Sequence, residues 1–229
     1  MSKNTNQKVE FRSIFISDVH LGTSACQDER LLDFLSAHKA EHWYLNGDIF
    51  DLWSLNRRHV WNRNQTEILR KILKLSEKSN VTFIPGNHDE VVRKFIAHNN
   101  GIESFGSVHV CDRVDYTDQN GRRILVIHGD QFDFSMKVPG WLHGQLDRIL
   151  EWIPIDKIKG ASEFVNQFTS TEQVACRYID KHDYDAIIIG HTHVPKMSRT
   201  YMNTGDWVKN CTYIAETDNG HWILDSWKK

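Results

Sequence analysis

Seven side chains stand out for what they could hold together: Asp18, His20, Asp48, Asn87, His128, His191 and His193. Each follows a short apolar run. Ile14-Phe15-Ile16 leads to Asp18-Val19-His20, and Trp43-Tyr44-Leu45 leads to Gly47-Asp48. Val81-Thr82-Phe83-Ile84 leads to Gly86-Asn87-His88-Asp89, and Ile124-Leu125-Val126-Ile127 to His128-Gly129-Asp130. Ile187-Ile188-Ile189 leads to Gly190-His191-Thr192-His193. Carboxylate, imidazole and amide oxygen together suit divalent Mn, Fe, Zn or Ni. Cysteine is absent from every cluster, which argues against a structural zinc site. One ion needs fewer ligands than this; two ions sharing a carboxylate would use them all. A metal pair is suited to in-line displacement at phosphorus, because it clamps the attacking and leaving oxygens. One Asp after a strand is ordinarily a cap or a turn. Five clusters in the same structural position point to a shared site.

Such a site needs strand ends that converge. The apolar runs are short, rich in β-branched residues and stopped by Gly or polar residues, so they read as buried strands. In open α/β sheets, ligand sites form beyond the carboxyl ends of the strands. Helix-period segments lie between and after the first three runs. Leu31, Leu32, Phe34 and Leu35 make one apolar face. Ile68, Leu69, Ile72, Leu73 and Leu75 make another, with Asn64 and Glu67 placed like a capping box. Val91, Val92, Phe95 and Ile96 make a third, stopped by Asn99-Asn100-Gly101. This alternation is an α/β pattern. Beyond it, Val108-His109-Val110, Arg113 to Tyr116 and Arg123 to Ile127 predict antiparallel pairing, with Asn120-Gly121 as a hairpin signal. Residues 131–185 read as a mostly helical insertion or lid, and a last hairpin turns at Asp218-Asn219-Gly220.

The 229 residues carry 28 Lys+Arg against 30 Asp+Glu, a net charge of −2. That balance argues against a nucleic-acid partner. A hydrophobic content of 40% with 25% charged residues fits a folded globule. Four scattered cysteines without a C-x-x-C pair predict free thiols in a reducing compartment. Met1 to Arg12 is polar and lacks the apolar core of a signal peptide. The apolar runs are too short to span a bilayer. The expectation is a cytoplasmic protein with a single domain over residues 1–229.

In order, D-x-H, G-D-x-x-D, G-N-H-D, H-G-D and G-H-T-H form a series that resembles the calcineurin-like metallophosphoesterase superfamily over residues 14–207. The resemblance implies a four-layer α-β-β-α sandwich of two mixed sheets. It also implies two divalent ions, Mn foremost, with Fe, Zn or Ni as alternatives. Asp18, His20 and His193 would hold one ion, Asn87, His128 and His191 the other, and Asp48 would bridge them. A hydroxide between the ions would attack phosphorus. His88 would be the outer histidine facing the substrate, and Asp51 the carboxylate that orients it.

Within the superfamily the likeness runs furthest to the UDP-2,3-diacylglucosamine pyrophosphatases of lipid A biosynthesis and their paralogues. It is carried by His128-Gly129-Asp130-Gln131-Phe132-Asp133, the insertion, and Tyr201-x-Asn203-Thr204-Gly205-Asp206-Trp207. That implies a nucleotide-linked lipid substrate and work at the cytoplasmic face of the inner membrane, peripherally attached. One departure matters: those enzymes carry Arg where this chain has His88. An Arg only clamps phosphate, whereas a His also delivers a proton. Acid assistance helps an alkoxide leave more than a phosphate, so His88 moves weight toward phosphate mono- or diesters or nucleotides.

Other residues read two ways. Trp141, Leu142, Leu146, Ile149, Leu150, Trp152 and Ile153 recur at helical spacing before Lys157 and Lys159. They suit a lid over acyl chains, with Trp141 facing substrate, or a membrane-surface helix; equally they suit a helix packed as core. Arg57 and Arg58 suit a phosphate or nucleotide contact, or a solvated loop. Asp130 and Asp206 are expected to support ligand histidines, Tyr201 and Asn203 to support the His191–His193 loop, and Asp89 to cap a helix. A reading from another class is a binding scaffold that keeps the fold without catalysis. Such a scaffold is expected to lose ligands, and here the set is complete.

Overall fold

A computed structural model describes residues 9–57, 60–98, 102–132 and 171–228. Their elements run β1 (Val9–Ile16), α1 (Asp28–Ala37), β2 (His38–Asn46), α2 (Leu52–Arg57), α3 (Arg63–Ser76), β3 (Asn80–Ile84) and α4 (Glu90–His98). Then follow β4 (Ile102–Phe105), β5 (Val108–Cys111), β6 (Val114–Thr117) and β7 (Arg123–Val126). The last are α5 (Thr171–Lys181), β8 (Ala186–Ile189), β9 (Lys196–Met197), β10 (Tyr201–Asn203), β11 (Thr212–Glu216) and β12 (Trp222–Ser226).

The strands form two mixed sheets. One has the order β12-β11-β1-β2-β3-β5-β4, the other β6-β7-β8-β10-β9. The inner strands β1, β2, β3 and β5 are parallel, as are β7, β8 and β10. Antiparallel strands close the edges of both sheets. Parallel strands covered on both faces read as unbroken apolar runs, which is why the runs in the sequence do not alternate with polar residues.

Alternation along each strand sorts side chains between layers. Phe15, Tyr44 and Ile84 point between the sheets and meet Ile124, Val126 and Ile188 from the second sheet. Their neighbours Ile14, Ile16, Trp43 and Leu45 point outward, against Leu31, Phe34 and Leu35 of α1 and Ile68 and Ile72 of α3. On the far side Leu125, Ile187 and Ile189 pack against Ala175 and Ile179 of α5. The layers are therefore helix, sheet, sheet, helix. Polar groups also join the sheets: the Ser13 hydroxyl on β1 pairs with the Tyr116 hydroxyl on β6 at 2.8 Å, and the backbone N–H of Gln119 donates to Glu216 on β11 at 2.7 Å.

Three expectations need correction. The cap of α3 is Asn62, whose side chain accepts from the Gln65 N–H at 2.9 Å; Asn64 instead reaches Asp28 and Glu67 pairs with Arg70. The helix starts two residues before the capping-box reading allowed. On α4 only Ile96 is fully buried, while Val91 and Phe95 face outward at 65% and 54% exposure. An apolar cavity of about 370 Å³ lies between α3, α4 and the sheet, with Ile72, Leu73, Val92 and Phe105 on its wall. Finally, β5 and β6 do not pair. The chain crosses from one sheet to the other between Cys111 and Val114. The hairpin at Asn120-Gly121 does form, between β6 and β7, with Gly121 at φ +80°. Most of the insertion lies outside the described residues; its last part forms α5.

Candidate metal centre

The parallel strands β1, β2, β3, β7 and β8 deliver all five polar clusters to one end of the sandwich. The loops there are bent in an unusual way. Asp18, His20, Asp48, His191 and His193 all take the left-handed backbone region, with φ between +52° and +64°. For a residue with a Cβ this costs on the order of 1 kcal/mol or more, and it persists only where surrounding contacts hold it. Here the contacts are backbone hydrogen bonds between loops. Asp18 N–H donates to Gly47 O at 3.0 Å, His20 N–H to Asp48 O at 2.9 Å, and Trp207 N–H to Asp18 O at 2.9 Å. Gly47 is required twice over. It sits at φ +87°, and a Cβ there would overlap the His128 ring.

The side chains then converge. Asp18 and Asp48 are both buried. One Asp18 oxygen accepts from the Ser17 hydroxyl and, at 3.0 Å, from the His191 N–H. Its other oxygen faces His193 Nε2 at 3.2 Å. One Asp48 oxygen accepts from the His88 N–H at 2.8 Å. The other lies 3.3 Å from His128 Nε2 and 4.0 Å from His20 Nε2. His128 Nδ1 is 2.9 Å from the Asn46 carbonyl, which only accepts. That bond places the proton on Nδ1 and leaves Nε2 as the ligand atom. Asn87 Oδ1 is 3.1 Å from His191 Nδ1. Three groups result whose ligand atoms lie within 4.8 Å of one another: Asp18, His20 and His193; His20, Asp48 and His88; Asp48, His128 and His191.

Do these donors fit cations? Asp18 Oδ1, His20 Nε2 and His128 Nε2 are buried and lack a hydrogen bond among the described residues. Buried polar atoms are normally satisfied, and an orphan asks for a missing ligand. These three face the same space as the carboxylates. The oxygen–nitrogen donor set suits borderline divalent cations.

The electrostatics agree. Burial pushes the Asp48 carboxyl up, but the His128 ring beside it and the His88 N–H outweigh this and hold it well below the usual carboxylate range. Burial pushes His128 down, and the Asp48, Asp18 and Asp130 carboxylates outweigh that and raise it. His193 is raised, chiefly by the Asp18 carboxylate that its Nε2 faces. His20 is lowered, chiefly by burial. In the absence of cations the carboxylates therefore draw protons onto His128 and His193.

All seven expected ligands lie among the described residues and contribute to this cluster. His88 Nδ1 is 3.2 Å from Asp51, and the same Asp51 oxygen is 3.5 Å from His20 Nδ1, so Asp51 faces both rings. Its other oxygen accepts from the Ser54 N–H at 2.7 Å, which anchors it at the start of α2. Asn203 supports the His191–His193 loop as expected, donating to Gly190 O at 2.8 Å. Arg57 belongs to α2, and its side chain is outside the described set; Arg58 and Trp141 lie outside the described residues altogether. Asp130 and Asp206 support the ligand histidines indirectly: Asp130 pairs with Arg93 and helps to raise His128, and Asp206 accepts from the N–H groups of Val208, Lys209 and Asn210, whose side chain donates to the His193 carbonyl.

Sequence reasoning also missed three residues. Ser17 orients Asp18. Asp89, read as a helix cap, accepts from Ile49 and Phe50 N–H at 3.0 and 2.9 Å and so ties the Asp48 loop to its own. Trp53 lies against His88, with ring centroids 4.4 Å apart and tilted. Only Ser17, next to a ligand, carried a local signal.

The fold and this cluster define a class. Residues 11–195 match the calcineurin-like phosphoesterase family, and the chain belongs to it. It is a hydrolase of phosphoester or pyrophosphate bonds. Among curated proteins it is similar to the UDP-2,3-diacylglucosamine hydrolase of Psychromonas ingrahamii, 26% identical with 89% of this chain and 92% of that one covered. It is also similar to that of Vibrio atlanticus, at 27% with 90% and 93% covered, and that of Ectopseudomonas mendocina, at 28% with 85% and 89% covered. Among solved structures, a single mutant of Vps29 from Entamoeba histolytica aligns at 15% identity over 93% of this chain and 96% of that one, with a TM-score of 0.48.

Proposed function

We propose that this chain is a two-cation phosphohydrolase of the UDP-2,3-diacylglucosamine hydrolase type. The observation that carries the reading is the gathering of seven O- and N-donors from five strand ends, with three buried donor atoms left unbonded and aimed inward. Asp18, His20 and His193 would hold one cation, Asn87, His128 and His191 the other, and Asp48 would serve both. Divalent cations bound there, manganese foremost, supply positive charge for the phosphoryl oxygens and acidify water. The chain supplies the rest. Asn46 fixes the His128 tautomer through its carbonyl, and Ser17 leaves one Asp18 oxygen free to bind. Asp51 holds His88 at the edge of the cluster, where its ring passes a proton to the departing oxygen. The substrate is a nucleotide-linked lipid pyrophosphate, reached at the cytoplasmic face of the inner membrane. No helix among the described residues is long and apolar enough to cross a membrane.

A second reading keeps the chemistry and changes the substrate. The ring of His88, paired with Asp51 at 3.2 Å, favours poor leaving groups, as in phosphate mono- and diesters. One panel separates the two. The manganese-loaded protein is assayed on UDP-2,3-diacylglucosamine, simple UDP-sugars, cyclic nucleotides and phosphomonoesters. Release of UMP from the lipid substrate well above the other rates is expected. Dominant cleavage of esters selects the second reading, and no chelator-sensitive turnover on any substrate sinks both. His88→Ala is expected to slow alkyl esters about 100-fold more than activated aryl phosphates, in line with typical acid catalysis. Equal losses on both rule out proton delivery by His88.

A further inference from the structure

We propose that Arg93 is a positioning residue that sets the geometry of the second cation of the pair. The inference rests on the two-cation reading above. Asn87 and His128 belong to that cation's ligands, yet they arrive on β3 and β7, in different sheets. No strand pairing fixes the distance between their loops. Arg93, on α4, spans them. Its Nη1 and Nη2 donate to the two Asp130 oxygens at 2.6 and 2.9 Å, and Nη2 also donates to the Pro85 carbonyl at 2.6 Å. Pro85 stands two residues before Asn87, and Asp130 two residues after His128. Asp112, at the crossing between the sheets, adds a charge 3.0 Å from Nε without a hydrogen bond.

The chemistry of the guanidinium explains why this matters. A planar fork bound at both teeth fixes a separation and an angle together, which a lysine ammonium does not. The Asp130 side chain is only 6% exposed, so solvent does little to loosen the pair. Binding constellations tolerate displacements of about 0.5 Å. The clamp therefore acts on the pair Asn87 and His128 and leaves the Asp18, His20 and His193 group, held by β1 and β8, untouched. It is a contact between residues 37 positions apart, and α4 presents Arg93 toward the centre while turning Val91 and Phe95 to solvent.

The test is manganese binding to the full chain stripped of metal, followed by calorimetry and electron paramagnetic resonance. The unaltered chain is expected to bind two Mn ions and to give an exchange-coupled spectrum. Arg93→Gln is expected to keep the first binding step and to weaken the second about tenfold, the low end of what losing a direct partner of a metal ligand costs, since Arg93 acts through the loops that carry the ligands, with the spectrum of isolated ions. Arg93→Lys should recover charge without recovering the second step. The double variant Arg93→Gln/Asp130→Asn, which removes the unpaired buried charge, should stay weak as well. Two Mn ions bound by Arg93→Gln with unaltered affinities would overturn the inference. So would equal weakening of both steps, or full recovery in the double variant. An unaltered chain that binds one Mn or none overturns the two-cation reading itself, and this inference with it.

Discussion

At the scale of single residues, the cluster is a set of proton sites competing with cations. His128 and His193 are raised by carboxylates, and Asp89, buried beneath them, is pushed up to about 7 by burial and by Asp48. A group raised in the folded chain stabilises it below the unfolded pKa and loses that contribution as pH rises through the folded one; for Asp89 the corresponding loss runs from about pH 4 to about 7. Asp48, depressed, stabilises above the ordinary carboxylate range and loses this only in stronger acid. His20, lowered by burial, works the other way, one group against three. The metal-free chain is thus expected to melt at a higher temperature at about pH 5 than at about pH 8, and added manganese to reverse the order, because cations must displace protons from the histidines. Scanning calorimetry at both pH values, with and without metal, checks this; a metal-free chain that melts higher at the alkaline value would contradict it. The ligands themselves were legible in the sequence, because each sits at a strand end in a compact motif. Arg93 and Asp89 were not. Their partners lie about 40 positions away, and nothing local marks them.

At the scale of elements, the buried strands were legible because two covered faces demand continuous apolar runs. The helices were legible less fully. Periodicity located α3, but the cap depends on which Asn side chain turns back to the chain: Asn62 does so through its Oδ1, while the amide groups of both Asn62 and Asn64 donate to Asp28. Asn62→Ala is expected to cost about 1 kcal/mol in urea unfolding while leaving turnover unchanged, since α3 carries no group of the cluster. On α4 the apolar period gave the right helix but too wide a packed face: Ile96 and Val92 pack on the core and Arg93 turns to Asp130, while Val91 and Phe95 face outward. The same limit applies to β5 and β6. Both have strand character, but sheet membership is decided by partners far along the chain.

At the scale of the whole molecule, the two sheets meet only because residues remote in sequence close on each other. The first sheet is completed from the end of the chain. β11 lies beside β1 and pairs with Ser13 to Phe15, and Trp207 donates to the carbonyl of Asp18. Until those late residues arrive, one side of β1 presents bare N–H and C=O groups to water, an invitation to wrong pairing. Synthesis is therefore expected to leave the nascent chain without a settled Asp18 loop until Glu216 has cleared the ribosome exit. A chain cut after Asn210 should give no cooperative melting transition and rapid protease digestion, even with manganese at hand. The Asp18 loop would then wait, catalytically mute, for residues roughly two hundred positions later to be made.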